Sequence, residues 1–188
     1  MNNKKVKYLL ILLSLMLSAV SFSQVEKLER VLNCIKAKDI NGAKSAVDSA
    51  FMSAEVRADA QAWYYRAFVY LELSKKDKFN LNSAYRDTSL NSIRISNTLK
   101  PEVPVREQNN LIIKKHAETF HNMSVKYLYD SLNYERSNTA YKKYKEYYHQ
   151  VDTAFDFRAK DIEFYSGVGS HYSDLFNNNN TKPEFGEI

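Results

Sequence analysis

Apolar side chains recur three and four residues apart along almost the whole of this chain, the period of α-helices that each turn one face to a core. Leu28, Val31, Leu32 and Ile35 form the first stripe, and the segment Asp39 to Gly42 interrupts it. Ile40, Ala43, Val47, Ala50 and Phe51 form the second; Val56, Ala60, Trp63, Tyr64, Ala67 and Leu71 predict an unbroken third helix. After the polar Ser74–Lys78 break, a fourth helix is expected over about 81–98, ended by Pro101, with Pro104 in the first turn of the next. Ile113, Ala117, Phe120, Ser124, Tyr127 and Leu128 predict a long fifth helix over about 105–130, closed by a turn from Asp130 to Asn133. Ala140, Tyr141, Tyr144, Tyr148, Val151 and Phe155 mark a sixth, and a seventh begins near Phe157 and fades at Asn177–Asn180.

With only 4 Gly and 3 Pro in 188 residues, a β-fold full of tight turns is excluded. Amphipathic helices joined by short polar turns bury their stripes against sequence neighbours, which then run antiparallel. The expectation is an all-α fold of stacked antiparallel helical hairpins, about seven helices after the leader. Fourteen Tyr and 10 Phe supply the core area. The single cysteine, Cys34, has no partner for an intramolecular disulfide and reads as a small buried apolar residue.

The amino-terminal stretch has another character. Lys4, Lys5 and Lys7 precede an apolar run from Tyr8 to Val20, and the small residues Ser21 and Ser23 follow. Basic start, apolar middle and small-x-small end predict a signal peptide over residues 1–23, cleaved before Gln24. The run is short for a bilayer span of about 20 residues. No cysteine follows it directly, so no lipid anchor is expected, nor a membrane span after cleavage. The reading places the protein in the periplasm or outside the cell. Cleavage removes three lysines and leaves 24 basic against 22 acidic residues, near +2. With no basic block beyond Lys142, Lys143 and Lys145, a solvated helix side, nucleic acid is not an expected partner.

Internal similarity narrows the fold further. Trp63, Ala67 and Tyr70 take the Trp, Gly and Tyr places of the first helix of a tetratricopeptide repeat, with Arg66 where that pattern has Leu. Tyr165, Val168, Gly169 and Tyr172 fill all four places, and close packing accounts for Gly169. Ala43, Val47 and Ala50, then Ser89, Ile93, Ser96 and Pro101, and more loosely Ala140, Tyr144 and Tyr147, follow the second-helix spacing. The chain thus resembles a tetratricopeptide-repeat protein over about residues 25–176, in about three and a half degenerate repeats. It is similar to the divergent secreted members of Bacteroidetes-type bacteria, which share the Ala-x-Ala-Trp-Tyr-Tyr-Arg segment seen at residues 60–66. An insertion of about ten residues lies between Leu73 and Ser89, and the helix over about 105–130 is roughly twice the usual length. The resemblance implies an α-solenoid domain over 24–176. A polar tail, 177–188, reads as a cap or as the start of a further helix in a chain that continues past Ile188.

The same resemblance implies a concave, partner-binding face made by first helices. Carried over, it names Gln61, Tyr64, Phe68, Leu71 and Glu72, then His121, Val125, Leu128 and Tyr129, then Ser166, Ser170, Ser173 and Asp174. For Tyr64, Leu71 and Leu128, burial under a neighbouring helix is the competing reading. Catalytic patterns are absent from the sequence: there is no nucleophile elbow, phosphate loop or dinucleotide fingerprint. His116 and His121 stand five apart, on different helix faces, so they are no metal pair; all four histidines read as solvent-facing. The expectation is an exported scaffold that binds a protein or peptide, with no catalysis, metal or cofactor. The alternative is a protein binding a glycan or small ligand, although Tyr141, Tyr144 and Tyr148, the tyrosines suited to sugar stacking, sit on an inward stripe.

Overall fold

The structure, a computed structural model, describes Glu26 and residues 28–178; the expected leader and the tail from residue 179 lie outside the described residues. Every regular element among them is helical: α1 (residues 28–36), α2 (Ile40–Ala50), α3 (Ala54–Arg57), α4 (Ala60–Ser74), α5 (Ala84–Thr98), α6 (Val103–Tyr129), α7 (Tyr134–Val151) and α8 (Arg158–Asn178). The eight helices exceed the expected seven because the third stripe is broken. Asp59 is extended at φ −97°, and its carboxylate accepts from the Gln61 N–H at 2.8 Å. A cap of that kind starts a helix and does not continue one. Ser83 does the same for α5, which therefore begins three residues later than the stripe from Leu81 suggests.

Within the span expected as one repeat domain, packing divides into two compact units. One takes the described residues through Asp77 together with Asn82–Ile112; the other takes Lys78–Leu81 and the described residues from Ile113 on.

In the first unit α4 lies between α2 and α5. Val31, Ala43, Ala46, Val47, Val69, Tyr70 and Leu73 form its core, with Cys34 only half-buried at the edge. Ser89 and Ser96, which stand where the repeat pattern has alanine, lie where α5 meets α4. Ser89 Oγ donates to the Ala67 carbonyl at 2.7 Å and Ser96 Oγ to the Ala60 carbonyl at 2.8 Å, both residues fully buried. Rising numbers on α5 meet falling numbers on α4, so the pair is antiparallel. A larger residue would hold the backbones apart; serine lets them close and satisfies its own hydroxyl. Arg66, the departure from the repeat pattern, spans the unit. Its guanidinium lies 4.8 Å from the Tyr70 ring centre, 5.4 Å from Phe51 and 5.9 Å from Trp63, and Nη1 donates to Ser92 Oγ at 3.0 Å. Tyr70 Oη in turn donates to Asp48 on α2 at 2.9 Å.

In the second unit the device recurs between α6 and α7, where the buried Ser137 Oγ donates to the Ser124 carbonyl at 2.7 Å. Phe120, Ser124 and Tyr127 on α6 have the spacing of Trp63, Ala67 and Tyr70 on α4. Ser137, Tyr141 and Tyr144 on α7 match Ser89, Ile93 and Ser96, a better register than Ala140, Tyr144 and Tyr147. Helix α8 packs antiparallel on α7: Tyr141 stacks on Phe164 at 4.0 Å between centroids and donates to Asp161 at 3.0 Å, and Lys145 holds the same carboxylate at 2.8 Å. Lys145 is thus engaged in an interhelical pair, where a solvated helix side was expected.

Two further expectations change. His116 is fully buried on α6, although it was read as solvent-facing, because it falls on the same stripe as Ile112 and Met123. On α8 the inward ring is Phe164 and Tyr165 is 45% exposed; a β-carbon on Gly169 would meet nothing, whereas one on Gly167 would run into the Tyr129 hydroxyl. The close-packed glycine is Gly167.

Three helices end in left-handed backbone without glycine, at Lys38 (φ 59°), Lys100 (φ 53°) and Leu132 (φ 50°). The Asp39 N–H reaches back to the Cys34 carbonyl at 2.9 Å, as a helix-terminating turn requires.

Replacing Ser89 separates its two roles. Ser89→Ala keeps the close approach and should lose about 1 kcal/mol with the hydrogen bond. Ser89→Leu overfills the α4–α5 contact and should lose about 2–3 kcal/mol or more. Urea unfolding of the two variants side by side gives the comparison.

Candidate functional site

Side chains four and seven positions apart on one helix share a face, and His121, Val125 and Leu128 do so on α6. Opposite them α8 presents Lys160, Glu163 and Phe164. Together with Tyr129 these seven residues line a recess of about 110 Å³ inside the second unit. Its floor is Leu128, 1% exposed, and the buried Phe164 ring, itself fixed by Tyr141. Its rim is Val125, 41% exposed, and Tyr129, 56% exposed. Gly167 lets the Tyr129 hydroxyl lie against α8. The recess is somewhat smaller than the apolar cavity of about 150 Å³ that holds one benzene, a size matched to the tip of one side chain.

The polar groups of the cleft are engaged with one another. Lys160 Nζ donates to Glu163 at 2.7 Å, which holds the lysine above and the carboxyl below their ordinary values. His121 lies edge-on to Tyr144 at 4.9 Å. Burial pushes the imidazole pKa down; the nearby Lys160 ammonium adds to this and Glu163 opposes it. The cleft at neutral pH is therefore an apolar floor under a rim of zero net charge. Among the described residues no group of three His, Cys, Asp or Glu is placed to hold a metal ion. No helix among them is long and apolar enough to cross a membrane.

The carried-over residues divide between the units. His121, Val125 and Tyr129, with Leu128 beneath them, converge on the cleft. Gln61, Tyr64, Phe68 and Glu72 lie on α4 in the first unit and line no part of it. There the exposed Gln61 donates to Tyr65 Oη at 2.8 Å, Tyr64 and Phe68 are half-buried, and Glu72 is bound by Lys75 at 2.6 Å. Burial raises the Tyr64 phenol pKa. Leu71 and Leu128 are both buried, so the packing reading holds for both, and Leu128 reaches the cleft only as its floor. Ser166, Ser170, Ser173 and Asp174 are exposed on α8 and take no part in the cleft. Tyr141 and Tyr144, considered for sugar stacking, are buried in the core.

Lys160, Glu163 and Phe164 are the site residues that sequence reasoning missed. The doublet Phe164–Tyr165 offers two helix registers, and the repeat pattern selects the wrong ring as the inward one. The Lys160–Glu163 spacing of three was the available signal. The sequence shows no significant match to any protein-family model, curated protein or solved structure.

Because His121 has a lowered pKa in the fold, the unfolded chain takes up its proton first as pH falls. Above the ordinary value of 6.5 both states are neutral and the residue contributes no pH dependence; below it, folding stability declines until the native imidazole also titrates. Melting temperatures measured from roughly pH 7 to pH 5 should fall less for His121→Gln than for the unaltered protein. Parallel curves would remove His121 from the acid sensitivity.

Proposed function

We propose that this chain is an exported, tetratricopeptide-like binding scaffold that takes an apolar side chain of a protein or peptide partner into the α6–α8 cleft and performs no chemistry on it. The single observation that carries the reading is the cleft itself: a rigid apolar floor of Leu128 and Phe164 beneath the exposed Val125 and Tyr129. Such a recess gains by excluding water from an inserted hydrophobe, and an aromatic residue at its edge is a common anchor of partner binding. The Lys160–Glu163 pair leaves no unbalanced charge for a strongly ionic ligand to seek. Support for a repeat architecture is the recurring serine-to-carbonyl contact, Ser89 to Ala67 and Ser137 to Ser124. Stacking of such hairpins into a curved solenoid, with first helices lining the concave face, belongs to this proposal.

The test is selection of a displayed random-peptide library on the immobilised protein, followed by titration of the enriched peptides. Enriched sequences should share an aliphatic or aromatic anchor. Val125→Asp should weaken them about tenfold or more, as a charge set into an apolar contact costs at least 1.4 kcal/mol. Lys36→Ala, exposed on α1 and at none of the carried-over positions, should leave them unchanged. Enrichment of peptides indifferent to Val125→Asp would move the site elsewhere. Export has its own check: amino-terminal sequencing of protein recovered from the cell envelope should begin at Gln24, and a retained Met1 would count against it.

A further inference from the structure

Helix α8 has one apolar face directed at α7 and α6, formed by Phe164, Val168 and Leu175, and beside it a second apolar row. Ile162, Tyr165, Gly169, Tyr172 and Phe176 follow one another at spacings of three, four, three and four, the seam of a two-helix coil. Ile162 is 69% exposed and Tyr165 and Phe176 are each 45% exposed, while Tyr172 is partly covered by Tyr134. At the centre of the row, Gly169 faces open space. A solvated helix interior gains nothing from glycine, which costs about 1 kcal/mol against alanine. A second backbone approaching at Gly169 would give that cost a use.

The row is close to its own mirror image. Ile162 and Phe176 each lie seven residues from Gly169, and Tyr165 and Tyr172 lie four and three residues from it. Two copies of α8 packed antiparallel about a two-fold axis therefore set glycine against glycine, tyrosine against tyrosine, and isoleucine against phenylalanine. Each interface residue then meets its own kind of surface, as an isologous contact demands. The flanking residues Ala159, Ser166 and Ser173 are small enough for close approach. Arg158, four residues before Ile162, would fall beside the carbonyl end of the opposing helix, where a cation is favoured.

From this geometry we infer that the chain forms a homodimer through antiparallel pairing of α8 along the row from Ile162 to Phe176. The row is about 21 Å long at 1.5 Å per residue. With three aromatics and one isoleucine per copy, pairing buries on the order of 1,000 Å², below the roughly 1,600 Å² of a standard stable interface. The dimer is accordingly weak and concentration-dependent.

Sedimentation equilibrium of the full chain as its host processes it, from about 1 to 200 μM, should fit a monomer–dimer equilibrium with a micromolar dissociation constant. Gly169→Leu should raise that constant about tenfold or more, with the circular dichroism unchanged because a β-carbon at this position meets nothing in the monomer. Ser170→Leu, off the row, should leave it alone. Gly169→Cys combined with Cys34→Ser should yield a disulfide-linked dimer on mild oxidation. A monomer at every concentration overturns the inference, and so does a dimer indifferent to Gly169→Leu. A dimer that forms only after residues 179–188 are removed assigns the row to the chain's own tail and overturns it as well.

Discussion

Helix pairs can approach until backbones nearly touch only where the side chain between them is small, and a small polar side chain must then find a partner in the contact it creates. Serine on α5 and on α7 meets both conditions at once. Ser89 and Ser96 bind carbonyls of α4, and Ser137 binds one of α6. The carbonyl oxygens have a lone pair left over from the helical ladder, so the bond takes nothing from the helices. Other contacts attach the next helix in each unit: the Tyr70 hydroxyl of α4 reaches Asp48 on α2, and the Phe164 ring of α8 lies flat on Tyr141 of α7.

Arg66 shows how a polar departure from an apolar pattern is absorbed. In the first unit the place of a core leucine is taken by a guanidinium among the rings of Phe51, Trp63 and Tyr70, with Asp48 3.8 Å away and Ser92 as a hydrogen-bond acceptor. Each ring contact contributes about 0.5–1 kcal/mol or somewhat more where water is excluded. The residue thereby joins α2, α4 and α5, which a leucine cannot do by hydrogen bonding. The result is a core that depends on one partly buried charge.

The helices were legible because their stripes are long and their breakers few. The expected helix over about 105–130 is α6, and the turn from Asp130 to Asn133 separates it from α7. Legibility failed where two neighbouring residues offered equal apolarity, as with Phe164 and Tyr165, since a period of 3.6 cannot choose between adjacent registers without knowing the partner helix. It failed likewise at His116, whose polarity suggested solvent while its position dictated the interior. Half of the candidate cleft, the α6 half, was readable by analogy with a repeat; the α8 half was not, because its register depends on Gly167 meeting Tyr129.

Lys38, Lys100 and Leu132 leave the helical conformation through backbone angles that side chains with a β-carbon resist, at roughly 1 kcal/mol apiece. Backbone hydrogen bonds offset part of that strain, Asp39 N–H to the Cys34 carbonyl at 2.9 Å and Asn133 N–H to the Tyr127 carbonyl at 2.8 Å, and the surrounding packing must hold the rest. These corners are therefore the natural starting points of fraying. They also mark unused reserve, for a chain so poor in glycine has left its cheapest route to greater robustness untaken at the three bends that define its hairpins.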